Sequence, residues 1–168
     1  TDNTALSPSE GGGAVAGSAG MLTVENCTLL NNRADAGSGG GIFTSPASAG
    51  LTIRRSTFTG NTAQRGAAVT HGGGAAAVLT NVTASGNTSS AADSGILEAT
   101  GAAASMRLEY CTVAGNSPGP AASGAVLADG AGALMEYRAS IIADNSGNGF
   151  SARNGGTPLS LGHNLSSD

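Results

Sequence analysis

Six asparagines stand in register along this chain, and a spacing so regular admits few folds. Five eleven-residue segments align on a terminal Asn: Leu22–Asn32 (LTVENCTLLNN), Leu51–Asn61 (LTIRRSTFTGN), Ala77–Asn87 (AVLTNVTASGN), Met106–Asn116 (MRLEYCTVAGN) and Met135–Asn145 (MEYRASIIADN). The terminal Asn residues lie 29, 26, 29 and 29 positions apart. Asn3, followed by Thr4-Ala5 as Asn61 is followed by Thr62-Ala63, lies another 29 upstream. A second landmark recurs between them, glycine followed by a short apolar pair: Gly13-Ala14-Val15, Gly41-Ile42-Phe43, Gly66-Ala67-Ala68, Gly95-Ile96-Leu97 and Gly124-Ala125-Val126. Self-similarity at this period is the signature of a solenoid.

Within each repeat the apolar residues skip by two. The pairs Leu22/Val24, Leu51/Ile53, Ala77/Leu79, Met106/Leu108 and Met135/Tyr137 alternate with Thr23, Thr52, Val78, Arg107 and Glu136. This is one strand facing a core with alternate residues. After a two-residue corner a second strand points Cys27/Leu29, Ser56/Phe58, Val82/Ala84, Cys111/Val113 and Ser140/Ile142 inward. The glycine-led segment forms a third, with Val15, Phe43, Ala68, Leu97 and Val126 as its expected inward column. A helix is excluded by the period of two and by the abundance of Gly, Thr and Asn.

Three short strands per coil, with coils pairing strand on strand in parallel, make a right-handed parallel β-helix. The expected solenoid has about six coils of 26–29 residues, and residues 1–168 form one domain or a segment of a longer solenoid. No coil buries its inner face alone, so stacking supplies the core. The composition suits a narrow interior: 28 glycines, 3% aromatic and 11% charged residues. The Asn column (Asn3, Asn32, Asn61, Asn87, Asn116, Asn145) is expected at corners. There each Asn would adopt the left-handed backbone conformation, and its amide would bond to the next coil's amide as a ladder.

Charge narrows the function. A net charge of −4, carried against seven scattered arginines and no lysine, argues against nucleic acid. No apolar run is long enough for a transmembrane helix, so this segment is not expected to insert into a membrane. The chain opens on polar Thr1-Asp2-Asn3 and shows no signal peptide; an exported form would have lost it.

Gly40-Gly41-Ile42-Phe43 and Phe58-Thr59-Gly60-Asn61 resemble the repeats of polymorphic outer-membrane proteins and related bacterial right-handed β-helix, pectin-lyase-like, repeat proteins. The tail Ser160–Asp168 resembles a segment near the end of the helical region in large secreted members of that group. The resemblance spans essentially the whole chain. It implies an extracellular or cell-surface location and scaffold, filament or adhesin-like roles, and it carries over no catalytic residue.

Cys27 and Cys111 share a column three coils apart, roughly 14 Å at about 4.8 Å per coil, too far for a disulfide. Both are expected to be buried free thiols. His71, in a glycine-rich corner, and His163, in the tail, have no partner at a catalytic spacing. The column Glu25, Arg54, Thr80, Glu109, Arg138 alternates in sign as a solvated edge. Glu98 and Asp129 lie one coil apart and are the one acidic pair that could approach each other as a dyad; the chain is nonetheless expected to be no enzyme and to need no cofactor or metal. Outward Thr28, Thr57, Thr83 and Thr112, with Thr59 and Ser85 two residues on, form a candidate contact face for another solenoid, a glycan or ice. Asn26, Asn81, Asn87 and Asn164 head Asn-x-Ser/Thr sequons that a repeat of this composition produces on its own.

Neither end carries a capping helix, and bare β-helix ends expose unpaired strand edges. The expected partners are therefore further copies of the chain stacked head to tail, or the rest of a longer surface protein, with a glycan as a further ligand. The alternative functions are a carbohydrate-active β-helix, of the lyase or hydrolase kind, and a glycan- or ice-binding surface.

Overall fold

The computed structural model describes residues 1–5, 11–120 and 123–167. All regular structure among them is β, and every strand pairs in parallel. Three sheets are six strands deep. The long-strand sheet runs from Gly20–Glu25 through Ser48–Arg54, Ala76–Thr80, Ser105–Glu109 and Leu134–Arg138 to Thr157–Ser160. The short-strand sheet stacks Thr28–Leu30, Thr57–Thr59, Thr83–Ser85, Thr112–Ala114, Ile141–Ala143 and Leu165–Ser166. The Gly-led sheet stacks Val15–Gly17, Ile42–Thr44, Val69–His71, Gly95–Thr100, Gly124–Asp129 and Asn148–Arg153. A fourth sheet, not anticipated from the sequence, follows the first four ladder Asn residues: Thr4–Ala5, Arg33–Ser38, Thr62–Arg65 and Thr88–Ser89. Its inward column is Ala5, Ala34, Ala63, Ser89, small enough for the coil to close tightly.

The core is built from columns. Leu22, Leu51, Ala77, Met106 and Met135 stack in register, as do Val24, Ile53, Leu79, Leu108 and Tyr137. Across from them Leu29, Phe58, Ala84, Val113 and Ile142 form the buried column of the short-strand sheet. The Gly-led sheet corrects the expected column by one residue in two coils. Its inward file is Val15, Ile42, Val69, Leu97, Val126, Phe150, so Ile42 and Val69 replace Phe43 and Ala68. The reason is close packing: a Cβ on Gly41 would fall 2.7 Å from the Phe58 ring. Phe58 thus occupies the space beside Gly41, and Ile42 takes the core position that follows.

The Asn side chains form a continuous file. Each donates from Nδ2 to Oδ1 of the next: Asn3 to Asn32 (2.9 Å), Asn32 to Asn61 (2.9 Å), Asn61 to Asn87 (2.9 Å), Asn87 to Asn116 (3.0 Å) and Asn116 to Asn145 (2.9 Å). The backbone N–H of the same Asn donates to the same oxygen. From Asn61 onward Nδ2 also reaches a carbonyl of the preceding coil: Leu29, Phe58, Ala84 and Val113. The backbone rationale given for these positions is corrected. The left-handed residue is the one before the ladder Asn, namely Asp2, Asn31, Gly60, Gly86, Gly115 and Asp144. The ladder Asn itself stays out of that region, because its N–H must point along the stack to meet the next Oδ1.

A second, interrupted file lies at the other corner. The N–H of Cys27 donates to Ser56 Oγ, that of Cys111 to Ser140 Oγ (both 3.1 Å), and that of Ser140 to Asn164 Oδ1 (2.9 Å). Its preceding residues, Asn26, Arg55, Asn81, Tyr110 and Ala139, all have positive φ. Tyr110 is 56% exposed and gains only an Arg138 guanidinium 6.0 Å from its ring. A bulky side chain at φ 56 costs about 1–2 kcal/mol, and an exposed cation–π contact returns about 0.5 kcal/mol. Tyr110→Asn is therefore expected to stabilise the protein by roughly 1 kcal/mol, read as a higher urea midpoint with an unchanged slope.

Candidate functional site

The outer face of the Gly-led sheet should be wet, since its residues alternate with the core. Instead Thr70, Glu98, Leu127 and Asp129 are buried there. The Ser90–Ser94 connection is pinned at this face from both sides. Ser90 and Ala91 donate backbone N–H groups to the Ala63 and Gln64 carbonyls. Ser94 N–H donates to Ser123 Oγ (3.1 Å), and Ser94 Oγ donates to the Pro118 carbonyl (2.9 Å).

Between the connection and the sheet lies a charged layer drawn from four coils. Arg65, at the end of its fourth-sheet strand, places Nη1 3.2 Å from Glu98 Oε1 and 3.2 Å from Asp129 Oδ2. Its Nη2 donates to the Asp93 carbonyl at 3.3 Å. Arg153, at the end of the last Gly-led strand, donates from Nη1 to the same carbonyl (3.1 Å) and pairs through Nη2 with the Asp93 carboxylate (3.1 Å). Asn154 Nδ2 donates to Asp129 Oδ1 at 2.7 Å. Glu98 Oε2 is buried with no hydrogen-bond partner among the described residues. Burial pushes the Glu98 carboxyl up to about 7, against the opposing pull of Arg65.

The two carboxylates singled out in the sequence therefore do converge on one group, though in different columns: Glu98 is in register with Thr70 and Leu127, Asp129 with Thr100 and Arg153. Arg65, Arg153, Asp93 and Asn154 escaped the sequence reading. One signal was available: Glu98 lies between Leu97 and Ala99, in the middle of an apolar strand where a charge requires a partner. The arrangement holds coils together and moves charge under a cover. Both carboxylates are covered, with Glu98 0% and Asp129 6% exposed.

The other candidates fall elsewhere. Thr28, Thr57, Thr83, Thr112 and Ile141 lie in register on the short-strand sheet, with Thr59 and Ser85 paired beside them and a 3.5 Å contact between their hydroxyls. His71 is buried facing the core. Its Nε2 lies 2.6 Å from the Ala75 carbonyl, which only accepts, so Nε2 carries the proton. Nδ1 then accepts from Thr44 Oγ1 at 2.7 Å, and burial lowers the ring's pKa. His163 is exposed at a corner. Cys111 is buried, and burial pushes its thiol up to about 11. Cys27 is exposed, which corrects the expectation of two buried thiols; it precedes the outermost strand of the short-strand sheet, which has a neighbour on one side only. Arg138 pairs with Glu109 (3.1 Å), Arg107 with Glu136 (2.9 Å) and Arg55 with Glu25, all solvent-facing and each worth little. Among the described residues no group of three or more His, Cys, Asp or Glu side chains could hold a metal ion. Among the same residues no helix is long and apolar enough to cross a membrane.

Comparison with curated proteins and with solved structures returns no match. A family model described as the right-handed beta helix region matches residues 1–165. With the Asn file, the four parallel sheets and this match over nearly its full length, the chain belongs to the right-handed β-helix family.

Proposed function

We propose that this chain is a non-catalytic scaffold module of an extracellular β-helix protein, extended by coil-on-coil pairing. The observation that carries the reading is the continuity of the stack: three sheets run six parallel strands deep, and the Asn file links coil to coil by the same bond each time. A solenoid extends by the same nearest-neighbour contacts that hold it together. The extracellular, surface-display part of the reading rests on the resemblance of the repeats to outer-membrane repeat proteins.

A carbohydrate-active reading is favoured by one feature, the Glu98–Asp129 pair beside two arginines. The burial of both carboxylates beneath Arg65 supports the scaffold instead.

Frozen, unstained images of the purified protein test the choice, together with incubation on acidic and neutral polysaccharides. Filaments with an axial rise near 29 Å, about six coils of ~4.8 Å, and no polysaccharide cleavage are expected. Discrete particles that shorten a polysaccharide would overturn the proposal.

A further inference from the structure

We propose that Glu98 is the proton-binding element of a latch over the outer face of the Gly-led sheet. With Oε2 protonated the charged layer closes on the Asp93 carbonyl; with Oε2 ionised the arginines release that carbonyl.

The geometry carries this in three steps. First, the layer is unbalanced: three carboxylates (Asp93, Glu98, Asp129) face two guanidiniums (Arg65, Arg153). One bound proton makes it neutral, and a buried layer favours neutrality. Second, the site for that proton is identifiable, because Glu98 Oε2 is the buried side-chain oxygen without a partner among the described residues. Third, the parts differ in freedom. The Glu98 and Asp129 side chains are 0% and 7% exposed, whereas those of Arg65 and Arg153 are 33% and 30% exposed and can turn toward water. An ionised Oε2 needs hydration or a second donor. The Gly95 N–H already acts on this carboxyl; the charged donors of the layer are the guanidiniums, whose remaining N–H groups are now on the Asp93 carbonyl, so turning them to Oε2 unfastens the connection.

Every charged group facing Glu98 is accounted for among the described residues. Arg65 comes from the fourth sheet, Asp93 from the connection, Asp129 from the next Gly-led strand and Arg153 from the one after it. The preceding Gly-led strand presents uncharged Thr70, since His71 faces the core toward Thr44. Burial raises the Glu98 carboxyl to about 7, which puts the transition in the neutral range.

The test is amide hydrogen exchange at Asp93–Gly95 in the full chain at pH 6 and pH 8, corrected for the intrinsic rate. Protection is expected to fall about tenfold between the two in wild type and to stay level in Glu98→Gln. An equal fall in the variant, or no fall in wild type, overturns the latch. A carbon-13 carboxyl titration of wild-type Glu98 covers the case in which the variant does not fold. A midpoint near 7 shared with the Asp93–Gly95 amides supports the proposal; titration in the ordinary range near 4.5, or separate midpoints, overturns it.

Discussion

Asn87→Ala is expected to destabilise the protein by roughly 4 kcal/mol, far more than the loss of an ordinary surface amide. Asn87 Oδ1 accepts from both the backbone N–H and Nδ2 of Asn61, while its own Nδ2 donates to Asn116 Oδ1 and the Phe58 carbonyl. Truncation leaves the Asn61 N–H buried without its acceptor, at about 1–3 kcal/mol, and takes one donor each from the Phe58 carbonyl and the Asn116 amide oxygen. The vacated volume between coils is too small to collapse freely, which adds a cavity cost. The same change at Asn3, which is exposed at the end of the file, is expected to cost less than ~1 kcal/mol. Asn87→Asp at neutral pH is expected to be as harmful as alanine, because it keeps the acceptor but turns a carboxylate oxygen toward two other oxygens. Urea titrations of the three variants at pH 7.5 check the ranking. Equal losses at Asn3 and Asn87 would mean that the file is ornament on a stack held by apolar columns alone.

Arg65→Ala is the second large effect, and its size is expected to depend on pH. Removing the guanidinium leaves Glu98 and Asp129 facing each other under cover, and breaking a buried pair in this way costs roughly 3–5 kcal/mol. The partial exposure of Arg65 places the expectation at the lower end, about 3 kcal/mol at pH 8. Glu98 has a raised pKa in the folded state, so the folded protein binds its proton more readily than the unfolded chain. The stabilisation linked to that proton is fully present below the ordinary carboxylate range and is lost as pH rises through about 7. Without Arg65 the carboxyl is driven higher still, so at pH 5 it is neutral and the loss is expected to shrink to about 1 kcal/mol. Thermal unfolding of wild type and variant at the two pH values checks this. A loss independent of pH would show that Arg65 acts by packing rather than by charge.

Much of the architecture could be read before any coordinates, and for a physical reason. In a solenoid one residue per turn repeats the same environment, so Asn32, Asn61, Asn87 and Asn116 report a single constraint four times. The places where the reading slipped are equally instructive. The left-handed position was assigned to the ladder Asn, although the residues before it (Asn31, Gly60, Gly86, Gly115, Asp144) are the types that tolerate positive φ. Ile42 and Phe43 are both apolar, and a period of two cannot choose between neighbours; only the contact of Gly41 with Phe58 from another strand decides. The charged layer was legible only as two acids. Arg65 stands 33 residues from Glu98 and 64 from Asp129, distances that are not whole numbers of repeats, and the meeting depends on where a non-repeating connection lies.

The Asn file also has an arrow. Every bond onto an amide oxygen in it runs the same way, from N–H groups of one coil to the Oδ1 of the next, so the side-chain amide dipoles add along the axis instead of cancelling. A coil added to such a file has to keep its sense, with its amide oxygen turned to the donors of the coil before it; inverted, it would set acceptor against acceptor or donor against donor, as a reversed magnet meets like poles.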